Sequence, residues 1–187
     1  MSAQIKMVFT ALLLAGLATA GCSQEPKSAT GLVAKIQLTS TAFADGQPVP
    51  VKYTADALDI SPPLAWANAP ADTKSFALIV VDPDAPSGDW THWLIYDLPP
   101  TTTSLAEDQL KVPQLHNGAK QGLNDFKKTG YGGPAPPPGK MHHYYFKLYA
   151  LDAMTGLPPG ATKADLLKAM DGHLLGEGRL MGTCQRQ

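Results

Sequence analysis

The sequence predicts a mainly β protein made of short strands. Seventeen prolines and seventeen glycines divide the 187 residues into short apolar segments, which is typical of β-rich folds. Three segments are rich in β-branched and aromatic residues and are expected to be the strongest strands: residues 76–81, 91–98 and 142–151. The first of these is uniformly apolar and bounded by turn residues, so it is expected at the centre of a sheet.

Weaker patterns predict the remaining elements. Further strands are expected at residues 33–39, 49–54 and 64–67. Thr162 and Asp165 form a capping-box pattern, and apolar residues follow at helical spacing, so a helix is expected over residues 163–170. Residues 174–183 have a mixed pattern that predicts a short helical turn running into a last strand.

The beginning of the chain resembles an export signal. Residues 1–21 carry one lysine and no acid, and their apolar core, residues 8–20, is too short for a permanent membrane span. An Ala-Gly-Cys sequence resembling a lipoprotein box ends at Cys22, which is expected to be acylated, with residues 22–31 as a polar tether. The alternative is a soluble periplasmic protein cut after Ala20.

Residues 32–187 are long enough for one domain with a substantial core. With 15 basic and 16 acidic residues the chain is almost neutral, which gives no electrostatic case for binding nucleic acid. If Cys22 carries lipid, Cys184 is the one cysteine left and no disulfide framework is expected.

The candidate site combines three residue pairs with a rigid loop. The members of each pair are two positions apart, so in an extended chain both project to one side. The pairs are Asp82 with Asp84, Trp90 with His92, and His142 with Tyr144. Residues 132–139 include four prolines and three glycines and are expected to form a fixed loop. Gly132 and Gly133 could offer bare backbone N–H groups to an anion.

These motifs resemble a known family. Asp-Pro-Asp-Ala-Pro-Ser from Asp82, Trp-Thr-His-Trp from Trp90, Gly-Gly-Pro from Gly132 and His-His-Tyr from His142 are similar to the phosphatidylethanolamine-binding proteins, more closely their bacterial Raf-kinase-inhibitor-like branch. The resemblance implies an antiparallel Greek-key β-sandwich with a few peripheral short helices. It also implies a small pocket for phosphate-like anions or a phosphoethanolamine head group.

Carried over by position, the resemblance assigns ten residues to this pocket: Asp82, Asp84, Pro86, Trp90, His92, Gly132, Gly133, Pro136, His142 and Tyr144. Two carboxylates are a poor lining for an anion. Cationic histidines or a raised carboxylate pKa would reduce the repulsion. Alternatively the aspartates only orient the loops and histidines, or the ligand is a zwitterion whose ammonium group meets a carboxylate.

The resulting expectation is a binding protein rather than an enzyme, without cofactor or bound metal. The family name also implies regulation of a partner protein, which the sequence does not identify. The alternative is a metal-dependent hydrolase that uses Asp82, Asp84, His92 and His142, all of which are metal-ligating residue types. The protein is expected to be exported to the cell envelope and anchored there by lipid, at the outer membrane in a cell that has two.

We predict that the mature chain starts at a diacylated Cys22, because two acyl chains anchor a protein firmly and one does not. Intact-mass measurement of the protein extracted from membranes tests this. A mature chain that starts at Gly21 with an unmodified thiol would contradict it.

Overall fold

The structure, a computed structural model, describes residues 31–187. In chain order its elements are β1 (Ala34–Lys35), β2 (Gln37–Thr39), a 3₁₀ helix (Val51–Tyr53), β3 (Leu64–Ala67), β4 (Ser75–Asp82), β5 (Trp90–Leu98), β6 (Ser104–Leu105), β7 (Lys120–Gln121), β8 (His142–Leu151), α1 (Lys163–Met170) and β9 (Leu174–Cys184). The protein is mainly β, as the sequence predicts.

The strands form two sheets. The larger has the order β1-β9-β8-β4-β5-β7 and the smaller β2-β3-β6. All neighbouring strands are antiparallel except β1 and β9. The run β8-β4-β5-β7 matches the Greek-key order, in which a fourth strand returns beside the first of three; β6, in the other sheet, lies between β5 and β7 in the chain.

The core lies between the two sheets. Leu38 and Trp66 of the smaller sheet belong to one buried cluster with Phe76 and Leu148 of the larger sheet. Each such side chain contributes about 1.5–3 kcal/mol when fully buried. Strand β4 lies between β5 and β8, and all of its residues are buried, which confirms the central strand predicted at residues 76–81.

Strand β8 alternates between two faces. Its first four inward-facing residues are His142, Tyr144, Phe146 and Leu148, and all four are buried. The residues between them are half-buried. Because this alternation sends His142 and Tyr144 to the same side, both can contribute to one site at the start of the strand.

Helix α1 covers the opposite face of the larger sheet, where Leu166 and Met170 pack in a second buried cluster with Ile79. The predicted capping box is present: the Asp165 backbone N–H donates to Thr162 Oγ1 at 3.2 Å, and the Thr162 backbone N–H donates to Asp165 Oδ2 at 3.0 Å. It is the one α-helix among residues 31–187, where the resemblance implies several.

Two predicted strands are wrong in detail. The segment 33–39 is not one strand, because the chain passes from the larger sheet to the smaller one at Ile36, which separates β1 from β2. The segment 49–54 contains the 3₁₀ helix and no strand. Pro50 lacks the N–H group that a sheet ladder requires.

The helical turn predicted within residues 174–183 is also wrong, because the whole segment belongs to β9. Its glycines are needed for close packing. A Cβ atom on Gly178 would lie 2.8 Å from the Ile36 carbonyl oxygen, and one on Gly182 would lie 2.4 Å from Val49 Cγ2. These contacts come from distant parts of the chain, so the local pattern cannot indicate them.

The predicted leader, Cys22 and most of the tether lie outside the described residues. Within residues 31–187 no helix is both long and apolar enough to cross a membrane.

We predict that Leu148→Ala lowers the free energy of unfolding by about 2–5 kcal/mol, because Leu148 is fully buried at the centre of β8 and its truncation leaves a cavity. Leu32→Ala is the matched control, since the Leu32 side chain is 82% exposed. Urea unfolding of both variants tests the difference, and equal losses would contradict the placement of the core.

Candidate functional site

The candidate site lies where three strands of the larger sheet meet at one end. Asp82, the last residue of β4, pairs with Trp90, the first residue of β5. His142 begins β8, which runs antiparallel to β4. Strand pairing therefore brings Asp82 and His142 together although 60 positions separate them in the chain.

A pocket of about 330 Å³ opens at this end of the sheet. Seven of the ten predicted residues line it: Asp82, Pro86, Trp90, His92, Pro136, His142 and Tyr144. The lining also includes Ala85, Ser87, Phe126, Ala135 and Pro137. A larger groove of about 670 Å³ runs along β1 and β9 and shares no lining residue with the pocket. Most of the predicted residues, but not Asp84, Gly132 and Gly133, therefore converge on the smaller cavity.

The floor of the pocket contains a buried acid–histidine pair. Asp82 Oδ2 lies 2.8 Å from Nδ1 of His142, and the two residues are only 3% and 4% exposed. A carboxylate accepts hydrogen bonds, so Nδ1 carries the proton and Nε2 is the nitrogen left for a ligand. Because Asp82 Oδ1 also accepts the Asp84 backbone N–H at 2.9 Å, Asp82 orients both the histidine and the following loop.

His92 supplies a second, neutral ring. Its Nδ1 lies 2.7 Å from the Gly132 carbonyl oxygen, which can only accept, so Nδ1 carries the proton here as well. Burial lowers the pKa of His92 below its usual value, because a charged ring is poorly solvated inside the protein. At neutral pH this ring is therefore uncharged, and its Nε2 is a hydrogen-bond acceptor.

Tyr144 brings a donor without a partner. The residue is 1% exposed, and among the described residues its hydroxyl has no partner with ordinary hydrogen-bond geometry, although the Asp82 carboxylate and the Ala135 backbone lie near it. Burial, together with the nearby Asp82 carboxylate, raises the pKa of Tyr144, so the hydroxyl keeps its proton. The Tyr144 and His92 rings pack edge to face with centroids 5.1 Å apart. Leaving a buried hydroxyl unpaired costs about 1–3 kcal/mol, which a ligand that accepts from it would recover.

Asp84 does not line the pocket. Its Oδ2 accepts from the His143 backbone N–H at 3.0 Å and lies 2.7 Å from His143 Nδ1, while its Oδ1 lies 3.3 Å from Lys140 Nζ. The hydrogen bond from the His143 side chain is the main cause that lowers the pKa of Asp84. The second aspartate therefore holds the loop to β8, and the floor contains one carboxylate instead of two.

The two glycines also lie outside the lining, and the expectation that they offer free N–H groups to an anion is wrong. The Gly132 N–H donates to the His92 carbonyl oxygen at 2.9 Å, and the Gly133 N–H donates to Asp59 Oδ1 at 2.6 Å. Gly133 is needed because a Cβ atom there would lie 2.5 Å from the Tyr53 carbonyl oxygen. The glycine pair shapes the wall and does not supply donors.

Sequence reasoning missed Phe126, which forms part of the wall. Its ring packs edge to face on Trp90 and His92, with centroid distances of 5.4 and 5.3 Å. A buried side chain, Asn124, shapes the turn that presents it, accepting from the Lys128 N–H at 3.0 Å. Asn124-Asp125 is a turn signal in the sequence, but nothing local indicates that this turn reaches the pocket.

Comparison with known sequences identifies the family. A sequence model of the phosphatidylethanolamine-binding proteins matches residues 39–185. The chain belongs to this family. It is 49% identical over 151 residues to a UPF0098 protein of Methanothermobacter thermautotrophicus, covering 81% of this chain and 99% of that protein. It is 46% identical over 153 residues to a UPF0098 protein of Aquifex aeolicus, covering 81% and 89%.

Solved structures of the phosphatidylethanolamine-binding protein family share the fold. A homologue from Chlamydia trachomatis has a TM-score of 0.74 and 44% identity, covering 82% of this chain and 99% of that chain. The YbcL protein of Escherichia coli, described as a member of the mammalian family, has a TM-score of 0.77 and 32% identity, covering 82% and 100%.

The metal site that the hydrolase alternative requires is absent from the described residues. Among residues 31–187 no group of three or more His, Cys, Asp or Glu side chains could hold a metal ion. Each of the four side chains proposed as metal ligands has a hydrogen-bond partner of its own. Asp82 and His142 bond to each other. His92 bonds to a backbone carbonyl, and Asp84 bonds to His143.

We predict that His92 makes the protein less stable as the pH falls below neutrality. Unfolded histidine has a pKa of about 6.5, whereas burial lowers the pKa of His92 in the folded state. Below about pH 6.5 the unfolded state therefore binds more protons, and the free energy of unfolding falls by at most about 1.4 kcal/mol per pH unit from this group.

His92→Asn, in which the amide can still donate to the Gly132 carbonyl, should be less stable at pH 7 because it loses the ring contacts. Its free energy of unfolding should decline less between pH 7 and pH 5 than that of the parent. Urea unfolding at several pH values measures both slopes, and identical slopes would show that His92 does not titrate as described.

Proposed function

We propose that this protein binds a small phosphate-type ligand, and that its preferred ligand is a phosphoethanolamine-like head group with both an ammonium and a phosphoryl group. One observation carries the proposal: in the pocket, the buried Tyr144 hydroxyl has no hydrogen-bond partner among the described residues, and the Tyr144 ring packs on His92, whose Nδ1 is bonded to Gly132 and whose Nε2 is left as an acceptor. A ligand that both donates and accepts hydrogen bonds satisfies the two groups together.

Charge favours a zwitterion over a bare anion. The lining includes the Asp82 carboxylate and no lysine or arginine, and His92 is neutral at pH 7. An ammonium group can donate to His92 Nε2 or approach Asp82. A phosphoryl oxygen can accept from the Tyr144 hydroxyl.

Size and affinity are consistent with a head group. The pocket volume of about 330 Å³ is at the lower end of the range for ligand sites, about 300–1,000 Å³. The prolines, Trp90 and Phe126 make the upper wall apolar, so polar contacts are concentrated at the floor. Because few contacts must offset lost hydration, we expect a Kd in the μM to mM range, about −8 to −4 kcal/mol.

Membership of the family supports ligand binding in preference to catalysis, since the family and its Chlamydia homologue are described by their binding of phosphatidylethanolamine. We propose regulation of a partner protein only as a consequence of ligand binding, and not as a separate activity. We also propose that binding takes place at the cell envelope, where a lipid on Cys22 would tether the domain.

We predict that Tyr144→Phe weakens phosphoethanolamine binding by about 1 kcal/mol, or about fivefold, while leaving the free protein at least as stable as the parent. The reason is that the lost hydroxyl has no hydrogen-bond partner among residues 31–187. Tyr96→Phe is the matched control. The Tyr96 hydroxyl donates to the Pro158 carbonyl at 2.5 Å, so this variant should lose stability and keep its affinity.

Titration calorimetry with phosphoethanolamine, inorganic phosphate and ethanolamine, together with urea unfolding, provides both readouts. Phosphoethanolamine should bind more tightly than either fragment. Equal affinities of the parent and Tyr144→Phe for phosphoethanolamine would place the ligand elsewhere.

A further inference from the structure

One wall of the pocket is a loop with few means of holding its own shape. Residues 134–139, here called the proline loop, supply Ala135, Pro136 and Pro137 to the lining. Four of its six residues are prolines, which have no backbone N–H. Only Ala135 and Gly139 have a backbone N–H, so the loop depends mainly on its carbonyl groups, and these need donors from other parts of the chain.

Those donors come from two directions. On one side, the Ala55 N–H donates to the Pro134 carbonyl at 3.0 Å. On the other side, Gln185 Nε2 donates to the Gly139 carbonyl at 2.5 Å, and Arg186 Nη1 donates to the Pro136 carbonyl at 3.2 Å. Pro136 is itself a wall residue, so the last of these bonds acts directly on the pocket.

Arg186 is the residue that joins the two sides. Its Nε donates to Asp56 Oδ2 at 2.7 Å, and its Nη2 bonds to Asp56 Oδ1. Its carbonyl oxygen accepts the Gly139 N–H at 3.0 Å. A planar guanidinium can hold a carboxylate with two nitrogens and still direct a third donor at Pro136, which a lysine ammonium cannot do with the same geometry.

We propose that Arg186 is a positioning residue for the pocket: by linking Pro136 to Asp56 it holds the proline loop at the distance that the ligand requires. The proposal rests on the proposed function, because it assigns to Arg186 the pre-organisation of that same site. Arg186 is absent from the pocket lining and acts through the loop.

The solvent exposure of the Arg186–Asp56 pair distinguishes a positioning role for Arg186 from a general contribution to the stability of the fold. The Arg186 and Asp56 side chains are 31% and 46% exposed, and ion pairs this accessible to water add little to the stability of the whole fold. Loss of the pair should therefore leave the sheets intact and release the loop. If the released loop adopts its binding position only about 10–20% of the time, the Kd rises about five- to tenfold.

The test compares Arg186→Gln, Arg186→Lys and Asp56→Asn with the parent. Arg179→Gln is the matched control, since the Arg179 guanidinium lies over the Tyr145 ring on the other face of β8. Calorimetry with phosphoethanolamine measures affinity, amide hydrogen exchange at Gly139 measures loop release in the ligand-free protein, and thermal unfolding measures stability.

We expect Arg186→Gln and Asp56→Asn to raise the Kd about five- to tenfold and to accelerate exchange at Gly139, with nearly unchanged unfolding temperatures. Arg186→Lys should recover part of the affinity, and Arg179→Gln should match the parent. Asp56→Asn weakens the Arg186–Asp56 ion pair without changing Arg186. If the Arg186 variants do not fold, this variant still tests whether the pair positions the proline loop.

Unchanged exchange at Gly139 would overturn the proposal, as would faster exchange with unchanged affinity. If the parent itself does not bind phosphoethanolamine, the proposed function fails, and hydrogen exchange still decides whether Arg186 holds the loop.

Discussion

The pocket depends on the hydrogen bond between the Asp82 carboxylate and Nδ1 of His142. Both residues are almost fully buried, and leaving either side chain without its partner would cost about 1–3 kcal/mol, and more for the charged carboxylate. The bond joins the end of β4 to the start of β8, so it forms only when these two central strands pair in the observed register. The Asp82–His142 pair at the floor of the pocket therefore forms only together with the larger sheet.

Around this bond, residues of the same type have different roles. Asp82 faces the pocket, whereas Asp84, two positions further on, is bonded to His143 outside it. His142 and His143 are adjacent, but strand alternation sends them to opposite faces. The walls differ from the floor, because they are loops held by side chains from remote segments. The wall residue Pro136 is thus held by a hydrogen bond from Arg186, which is not part of the described pocket lining.

The sequence alone predicted those elements whose cause is local. The uniformly apolar run at residues 76–81 identified the central strand, and the aromatic-rich run at residues 142–151 identified β8. The two-residue spacing placed His142 and Tyr144 on one side of that strand, and the Thr162–Asp165 capping box identified α1 with its observed bounds. Motif spacing and family resemblance together nominated the pocket residues, seven of which line one cavity. These features can be predicted from one sequence because each depends on residues a few positions apart or on the direction of a side chain along one strand.

Only the tertiary structure decided features that arise from contacts between distant segments. The glycine-rich segment 174–183 forms strand β9 by pairing with β8, and distant parts of the chain approach Gly178 and Gly182 too closely for a side chain. The Gly133 N–H is occupied by Asp59, 74 positions away, and Arg186 reaches Asp56 across 130 positions. Hydrogen bonds of this kind depend on how the sheets and loops pack against each other. A local pattern of residue types therefore cannot predict them.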